Sequence, residues 1–436
     1  MGWIHDELAA KGAIAALIRA VLWAVPILLL LIPAIWFERR LLGWIQDRIG
    51  PNRVGPFGLL QPIADITKLL FKEEIIPSGV DRFTYVLAPI LALIPPIILG
   101  AGVPYGEYGL YQLLTPVSDL NIGVLYLMGV SSIGVYGLVL AGYSGNNKFS
   151  LMGGLRASAQ LISYELAMGM SLACIVLATG SLKFTSIVHS QEQPLWGVPS
   201  WAPVQNWNIL TPFGFLASLV FVVCMFAETN RPPFDLPEAE NELVAGYHTE
   251  YSSAKFVSFL MAEYFAMLVY GTVFATVFLG GYNLLPFNWD AVATNAPALA
   301  GLCHAMSWLS LNLAPLWLVG KIAATVFVYI WVRGTLPRLR YDQLMNLGWR
   351  SLLPLAVANL IVVAIWVVAV STYGPLPGMG IAIGIMLVGL VVYVNVVSVG
   401  RRKSDPLASR SITMVDVAPE RLAIVEPVEP QPTGAG

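Results

Sequence analysis

Apolar runs of 18 or more residues recur along the whole chain, and they restrict its fold more than any other feature. Such a run is the length a helix needs to cross the hydrocarbon core of a bilayer. Nine can be read, at about 14–37, 83–103, 121–143, 155–179, 210–229, 254–280, 308–332, 352–371 and 378–399. In lipid every backbone polar group must be paired internally, so spanning segments are helices or the strands of a closed barrel. These runs are too long and too continuously apolar for barrel strands, which alternate over roughly 10 residues. The expected fold is therefore an all-α polytopic membrane protein. Composition agrees: 57% of the residues are hydrophobic and 11% charged, against about a quarter charged in soluble proteins.

Arg and Lys sort the connections into two classes. The first connection carries Arg39, Arg40, Arg48, Arg53, Lys68, Lys72 and Arg82; the third carries Lys148, with Arg156 at its edge; the fifth carries Arg231 and Lys255. The seventh has Arg333, Arg338, Arg340 and Arg350, and the tail has Arg401, Arg402 and Lys403. Connections two, six and eight have none, and the fourth has only Lys183. That alternation expects nine spans with the N-terminus outside and the C-terminus cytoplasmic. Residues 1–403 then form one transmembrane domain, and the polar, proline-rich stretch 404–436 is expected to be a disordered cytoplasmic tail. The first span lacks a small-residue cleavage site and is longer than a signal core.

A net charge of −2 gives no indication of nucleic-acid binding. Cys174, Cys224 and Cys303 are far apart with no C-x-x-C pair, and His5, His189, His248 and His304 are scattered. No iron–sulfur, zinc or bis-histidine haem site is expected within this chain.

The first connection holds IGPNRVGPFG, a Gly/Pro-punctuated loop, followed by a short amphipathic helix at about 59–71. Leu59, Ile63, Ile66 and Leu70 fall on one face, and Gln61, Asp65, Lys68 and Lys72 on another. Such a helix lies along the membrane rather than across it. Either it is a surface anchor or it is the lip of a crevice through which a lipid-soluble molecule enters sideways; spacing leaves both open.

Charged groups at membrane depth carry the functional signal. Glu165, Glu263 and Lys321 sit about ten residues inside their spans, roughly 15 Å deep at about 1.5 Å per residue. Each costs on the order of 2.5–3.5 kcal/mol on insertion scales unless it faces protein or water. Glu228 follows near the end of its span, ahead of AETNRPPFDLPEAENELVAGYHTEY, which gathers Asp235, Glu238, Glu240, Glu242 and Glu250. Prolines Pro232 and Pro233 stop the preceding helix. Buried salt bridges would account for the deep charges structurally. A chain of titratable groups carrying protons inward from an acidic funnel would account for them functionally.

The strings ERRLLGWIQDRIGPNRVGPFGLLQPIADITKLLFKEE, RASAQLISYELAMG, AETNRPPFDLPEAENELVAGYHTEYS, FLMAEYFAM and RGTLPRLRYDQLMNLGWR, taken together, resemble one family. It is the H subunit of bacterial NADH–quinone oxidoreductase, the counterpart of mitochondrial NADH dehydrogenase subunit 1 in respiratory complex I. The matching strings follow the family's order over about residues 36–355. The resemblance implies a multi-pass subunit of the bacterial plasma (inner) membrane. It would form the membrane side of a quinone chamber and couple quinone reduction to proton translocation. Arg39, Gln46, Arg48, Arg53, Asp65 and Lys68 match positions near the tunnel entrance, and Arg231, Phe234 and Asp235 the loop beside the chamber. Glu165, Glu228, Glu238, Glu240, Glu242, Glu250 and Glu263 match the acidic path, and Arg333 and Arg340 a basic connection near the entrance.

Further implications are a quinone (menaquinone or ubiquinone) as substrate at a subunit interface, and FMN and Fe–S clusters on partner subunits. No redox centre is expected in this chain. Its partners would be the hydrophilic quinone-site subunits, the adjacent membrane-arm subunits and the lipid bilayer. Two other readings are an anchor subunit of a related membrane-bound hydrogenase and a stand-alone secondary transporter. The transporter would call for internal repeats, and none is found. Members of the family often have eight spans, so the run at 378–399 is additional; the Trp/Pro-rich connection 181–208 also lies outside the match.

Overall fold

A computed structural model describes residues 12–100, 102–104, 106, 120–198, 203–235, 245–295 and 300–404. Glu238, Glu240, Glu242 and the tail from 405 onward lie outside the described residues. Helices account for all the regular elements among those described: α1 (Gly12–Ile45), α2 (Gln61–Leu70), α3 (Arg82–Gly100), α4 (Gly123–Ser144), α5 (Lys148–Thr179), α6 (Phe184–Gln191), α7 (Pro212–Glu228), α8 (Ser253–Phe278), α9 (Trp289–Asn295), α10 (Ala300–Asn312), α11 (Ala314–Thr335), α12 (Tyr341–Asn346), α13 (Leu353–Tyr373) and α14 (Pro375–Ser404). Only isolated two-residue bridges, such as Pro194 with Gln205, have β character.

Each expected span overlaps helical residues, the seventh being divided between two helices. Among the described residues, α3, α4, α5, α8, α11 and the continuous stretch Tyr341–Tyr373 are long and apolar enough to cross a membrane, and α7 and Pro375–Gly389 are shorter apolar segments. The protein is thus a polytopic helical membrane protein. The amphipathic helix is present as α2. Several boundaries differ from the sequence reading: α5 starts at Lys148 rather than about 155, and α14 runs over Pro375–Ser404 rather than 378–399. Helix α1 runs on to Ile45 and carries Glu38, Arg39 and Arg40 within it. The seventh run is split into α10 and α11, with Pro315 in the first turn of α11, where its missing N–H is tolerated.

Local chemistry sets several ends. Asn147 caps α5 by accepting from the Phe149 amide at 3.0 Å, and Gly180, at φ +70°, closes it with an amide bond to Val176 at 2.8 Å. Thr211 caps α7 through the Gly214 amide at 3.1 Å, with Pro212 next. Phe221, Met225, Phe265 and Met168 are fully or almost fully buried where α5, α7 and α8 pack. Contacts divide the chain into residues 1–386 and 387–436, and helical residues 387–404 are the described part of the second unit.

Small residues let helices approach closely, as is usual where lipid offers no hydrophobic drive to association. A Cβ on Gly137 in α4 would lie 2.7 Å from the Ala92 nitrogen in α3, and one on Gly142 would lie 2.7 Å from the Ser150 carbonyl in α5. Gly129, on the same helix, has nothing within 4 Å of that position. Replacement of Gly137 by Leu is expected to destabilise the protein by about 1–3 kcal/mol through overpacking. Gly129→Ala should be neutral or mildly stabilising. Thermal denaturation of detergent-extracted protein distinguishes the two; equal melting temperatures would refute the close-approach argument.

Candidate functional site

Three elements converge on Arg231, in the loop after α7. Its guanidinium lies 3.2 Å from Glu38 of α1 and 3.7 Å from Glu263 of α8, and sits over the Tyr264 ring at 4.3 Å from the centroid. Arg333 of α11 also pairs with Glu38. Arg231 and Glu38 are buried, at 7% and 3% exposure, so this is an interior charge network rather than a surface one. Burial alone would lower the pKa of Arg231, but Glu38 first, then Tyr264 and Glu263, outweigh it and raise it. The cation is therefore permanent. Its loop is held by Gln160 of α5, whose side-chain amide donates to the carbonyls of Ala227 and Phe234 at 2.8 and 2.9 Å. The Phe234 ring packs edge-on to Tyr164, with centroids 5.5 Å apart. Asp235 accepts from Arg338 at 2.9 Å, and the Leu339 amide donates to the Pro233 carbonyl at 3.0 Å.

Next to this network is a cavity between α3, α4, α7 and α8. Glu228, Glu263, Ser131, Asn230, Tyr247 and Tyr270 line its polar part. Tyr270 donates to Glu228 at 3.1 Å, and Tyr247 to Glu263 at 3.3 Å. Glu165 is tied to the same space through α4: one of its oxygens is 2.8 Å from the Ser131 hydroxyl and 2.7 Å from that of Ser132. Neither Glu165 nor Glu263 therefore faces lipid alone. Glu250 accepts from Asn147 at 2.8 Å, and its backbone carbonyl from the Tyr85 hydroxyl at 2.9 Å. This links the far end of the acidic segment to α3 and α5.

The first connection is organised differently. Arg39 pairs with Asp65 of α2, and Gln61 donates to Asp65 at 3.0 Å. Trp36 and Arg40 both donate to the Phe57 carbonyl at 3.0 Å, which holds the Gly/Pro loop against α1. At its other end α2 is held by Ser253, whose hydroxyl is within 2.9 Å of the Lys72 carbonyl. Gln46, Arg48, Arg53 and Lys68 are exposed.

Thus Arg231, Phe234, Asp235, Glu228, Glu263 and Glu165 are brought together, Arg39 and Asp65 form a separate pair, and the remaining tunnel candidates stay on the exposed rim. Arg333 enters the buried network, whereas Arg340 pairs at 3.5 Å with exposed Asp342; Arg338 takes the position beside Asp235. Several participants were not singled out from sequence. Glu38 has no role in the sequence reading, although an acid at the end of a span beside two arginines is a signal. Ser131, Ser132, Tyr247 and Tyr270 carry no charge at neutral pH, so nothing in the sequence marks them out. Among the described residues Lys321 pairs with no carboxylate: its ammonium donates to the carbonyls of Leu279, Gly281 and Asn283.

The sequence model for NADH dehydrogenase matches residues 18–364. The chain belongs to the NADH dehydrogenase family. It is 44% identical over 367 residues to the second H subunit of NADH-quinone oxidoreductase from Koribacter versatilis, covering 81% of this chain and 97% of the relative. Subunit 8 of the Rhodothermus marinus enzyme is 46% identical over 340 residues, covering 77% and 92% of the two chains. The H subunit from Ralstonia pickettii is 44% identical over 359 residues, covering 81% and 92%. By this membership the chain is a membrane subunit of a multi-subunit enzyme, NADH-quinone oxidoreductase. The family match ends at residue 364, before α14.

Removing one partner of a buried ion pair leaves the other charge uncompensated, at a cost of about 3–5 kcal/mol. Glu38→Ala is accordingly expected to destabilise the protein severely. Arg340→Ala, whose pair with Asp342 is exposed on both sides, should cost no more than about 1 kcal/mol. Melting of the purified complex with each variant checks this; a Glu38→Ala protein as stable as Arg340→Ala would mean that Arg231 is not held as described.

Proposed function

We propose that this subunit forms the membrane side of a quinone chamber and passes the consequence of quinone reduction to proton-translocating parts of the complex through its buried carboxylates. The observation that carries this reading is one shared space. Glu228 and Glu263 line a single cavity, Glu165 joins it through Ser131, and the Arg231 loop borders it.

Each part has a physical role under this reading. Arg39, Asp65, Gln46, Arg48, Arg53 and Lys68 frame the tunnel entrance on the first connection. There α2 exposes Ile63 and Leu70, a face fitted to the lipid–water boundary through which a long-tailed quinone arrives. Arg231, Phe234 and Asp235 border the chamber. Reduction of the quinone consumes protons together with electrons, which changes the charge balance next to the Arg231 network. A fixed buried cation makes the neighbouring acids respond strongly, because charges interact more strongly where water is excluded. Glu263, 3.7 Å from Arg231 and lining the cavity, is the acid that joins the Arg231 network to the cavity. Tyr270 and Ser131 then offer hydroxyls between Glu228 and Glu165 that can exchange protons without carrying charge themselves. Glu238, Glu240, Glu242 and Glu250 belong to the segment that would supply protons from the cytoplasmic side. Electrons reach the quinone from NADH by way of FMN and Fe–S clusters on partner subunits.

Charge-removing changes test the path residue by residue. Glu228→Gln and Glu165→Gln are expected to lower NADH-driven proton translocation in membrane vesicles by about tenfold or more, on the scale of removing a general acid–base group. Ser132→Ala, which leaves Glu165 its bond to Ser131, should have a much smaller effect. Full proton translocation at full NADH–quinone turnover in both glutamine variants would remove these acids from the mechanism.

A further inference from the structure

The remote end of α8 is built unlike the end that faces the acidic segment. Lys321, from the first half of α11, reaches across to the turn that follows α8. Its ammonium donates to the carbonyls of Gly281 and Asn283 at 2.8 and 2.6 Å, and also to that of Leu279. An ammonium has three protons to donate, so all three have backbone acceptors and none is left to order water. The Trp207 ring covers the ammonium at 4.3 Å from its centroid. Gly280 has φ +71°, and a Cβ there would come within 2.3 Å of the Trp207 indole nitrogen; only glycine leaves room for the indole.

The neighbouring carbonyls of α8 are taken as well. Gln191 donates to Thr276 at 2.9 Å and Asn208 to Val277 at 2.6 Å. The Ala275 carbonyl accepts from the amides of Leu279 and Gly281 at 3.1 and 2.9 Å. Between this cap and the acid cavity the helix is closely packed and almost wholly apolar. Val273, Ala275, Val277 and Phe278 are 0% exposed, and Phe221, Phe274 and Phe278 pack ring on ring with centroids 5.5 to 6.1 Å apart. The hydroxyls of Thr272 and Thr276 are bonded back to their own helix at 2.7 and 2.8 Å. Residues 271–278, GTVFATVF, contain no ionisable side chain. Nine residues from Tyr270 to Leu279 (279 − 270) correspond to a rise of about 14 Å at about 1.5 Å per residue. Proton passage needs a connected chain of waters or exchangeable groups; here the two threonine hydroxyls are bonded to their own helix and the other side chains are apolar. While it is protonated, the Lys321 ammonium beyond this stretch repels a protonated carrier, as positive groups do in pores that exclude protons.

We propose that Lys321 and Trp207, with the packed apolar band of α8, form a proton-tight stopper, so that protons exchanged in the Glu228–Glu263 cavity do not leave through that end of the subunit. Its consequence for coupling rests on the reading of the cavity as a proton path; the stopper itself rests on the packing. Lys321 here is a positioning and insulating residue, not a catalytic one.

The test is passive proton conductance of the intact complex in liposomes, driven by a potassium diffusion potential with no NADH present. Wild-type and Lys321→Arg vesicles are expected to be tight. Lys321→Gln keeps an amide donor for the carbonyls but removes the charge, and is expected to admit protons about tenfold faster, the scale of a unit charge acting over about 10 Å at an effective dielectric of about 20. Combined Lys321→Gln/Glu228→Gln separates the two readings. Restored tightness supports both, whereas an undiminished leak supports the stopper while removing Glu228 from the path. Assembled Lys321→Gln that remains tight overturns the stopper. Should that variant not assemble, Trp207→Leu, which keeps the ammonium and its carbonyls, is measured in the same way, and tight vesicles overturn the proposal equally.

Discussion

A guanidinium buried in a membrane protein has to be surrounded by acids, and the placement of Arg231 organises the rest of this molecule. Its two carboxylate partners come from elements far apart in the chain, Glu38 in α1 and Glu263 in α8, with Arg333 of α11 sharing Glu38. Satisfying one charge therefore fixes three helices against the loop after α7. A solvated loop of the same sequence would impose no such geometry, because exposed pairs contribute little. Burial turns an ordinary attraction into a constraint on architecture.

From that constraint follows the position of the acid cavity. With Glu263 held toward Arg231, the same face of α8 presents Tyr270 to Glu228, and α4 presents Ser131 and Ser132 to Glu165. Gln160, fully buried, keeps the post-α7 loop against α5 by donating to its carbonyls. The acids are spread over three helices yet share one space. Hydroxyls rather than further charges join them, which limits the insertion penalty that each added ionisable group would bring.

Helix α8 thus has opposite characters at its ends. Near Glu263 it borders a polar cavity and a permanent cation. Its middle is packed with fully buried apolar side chains, and its C-terminal carbonyls are met by Lys321, Asn208 and Gln191. A cation at a helix C-terminus also opposes the negative end of the helix dipole. The 181–208 connection, which lies outside the strings that mark the family, supplies three of the groups that close this end, Gln191, Trp207 and Asn208.

How much of this was legible in the sequence depended on whether the signal was local. Run length and apolar composition determined the helical membrane fold, and the expected spans overlap helices, the seventh divided between two; the Gly/Pro punctuation and residue faces of the first connection determined α2. Deep Glu165, Glu263 and Lys321 were visible because a charge inside a 20-residue apolar run is conspicuous by itself. Tertiary structure alone decided their partners. Glu38 lies 193 residues from Arg231, Ser131 is 34 from Glu165, and the carbonyls that hold Lys321 are 38 to 42 residues away and belong to backbone that any sequence would have. Hydropathy and helical period act over a few turns, so they reveal which segments enter the membrane. Which side chains then meet is settled by packing between helices, and no one-dimensional pattern carries that information.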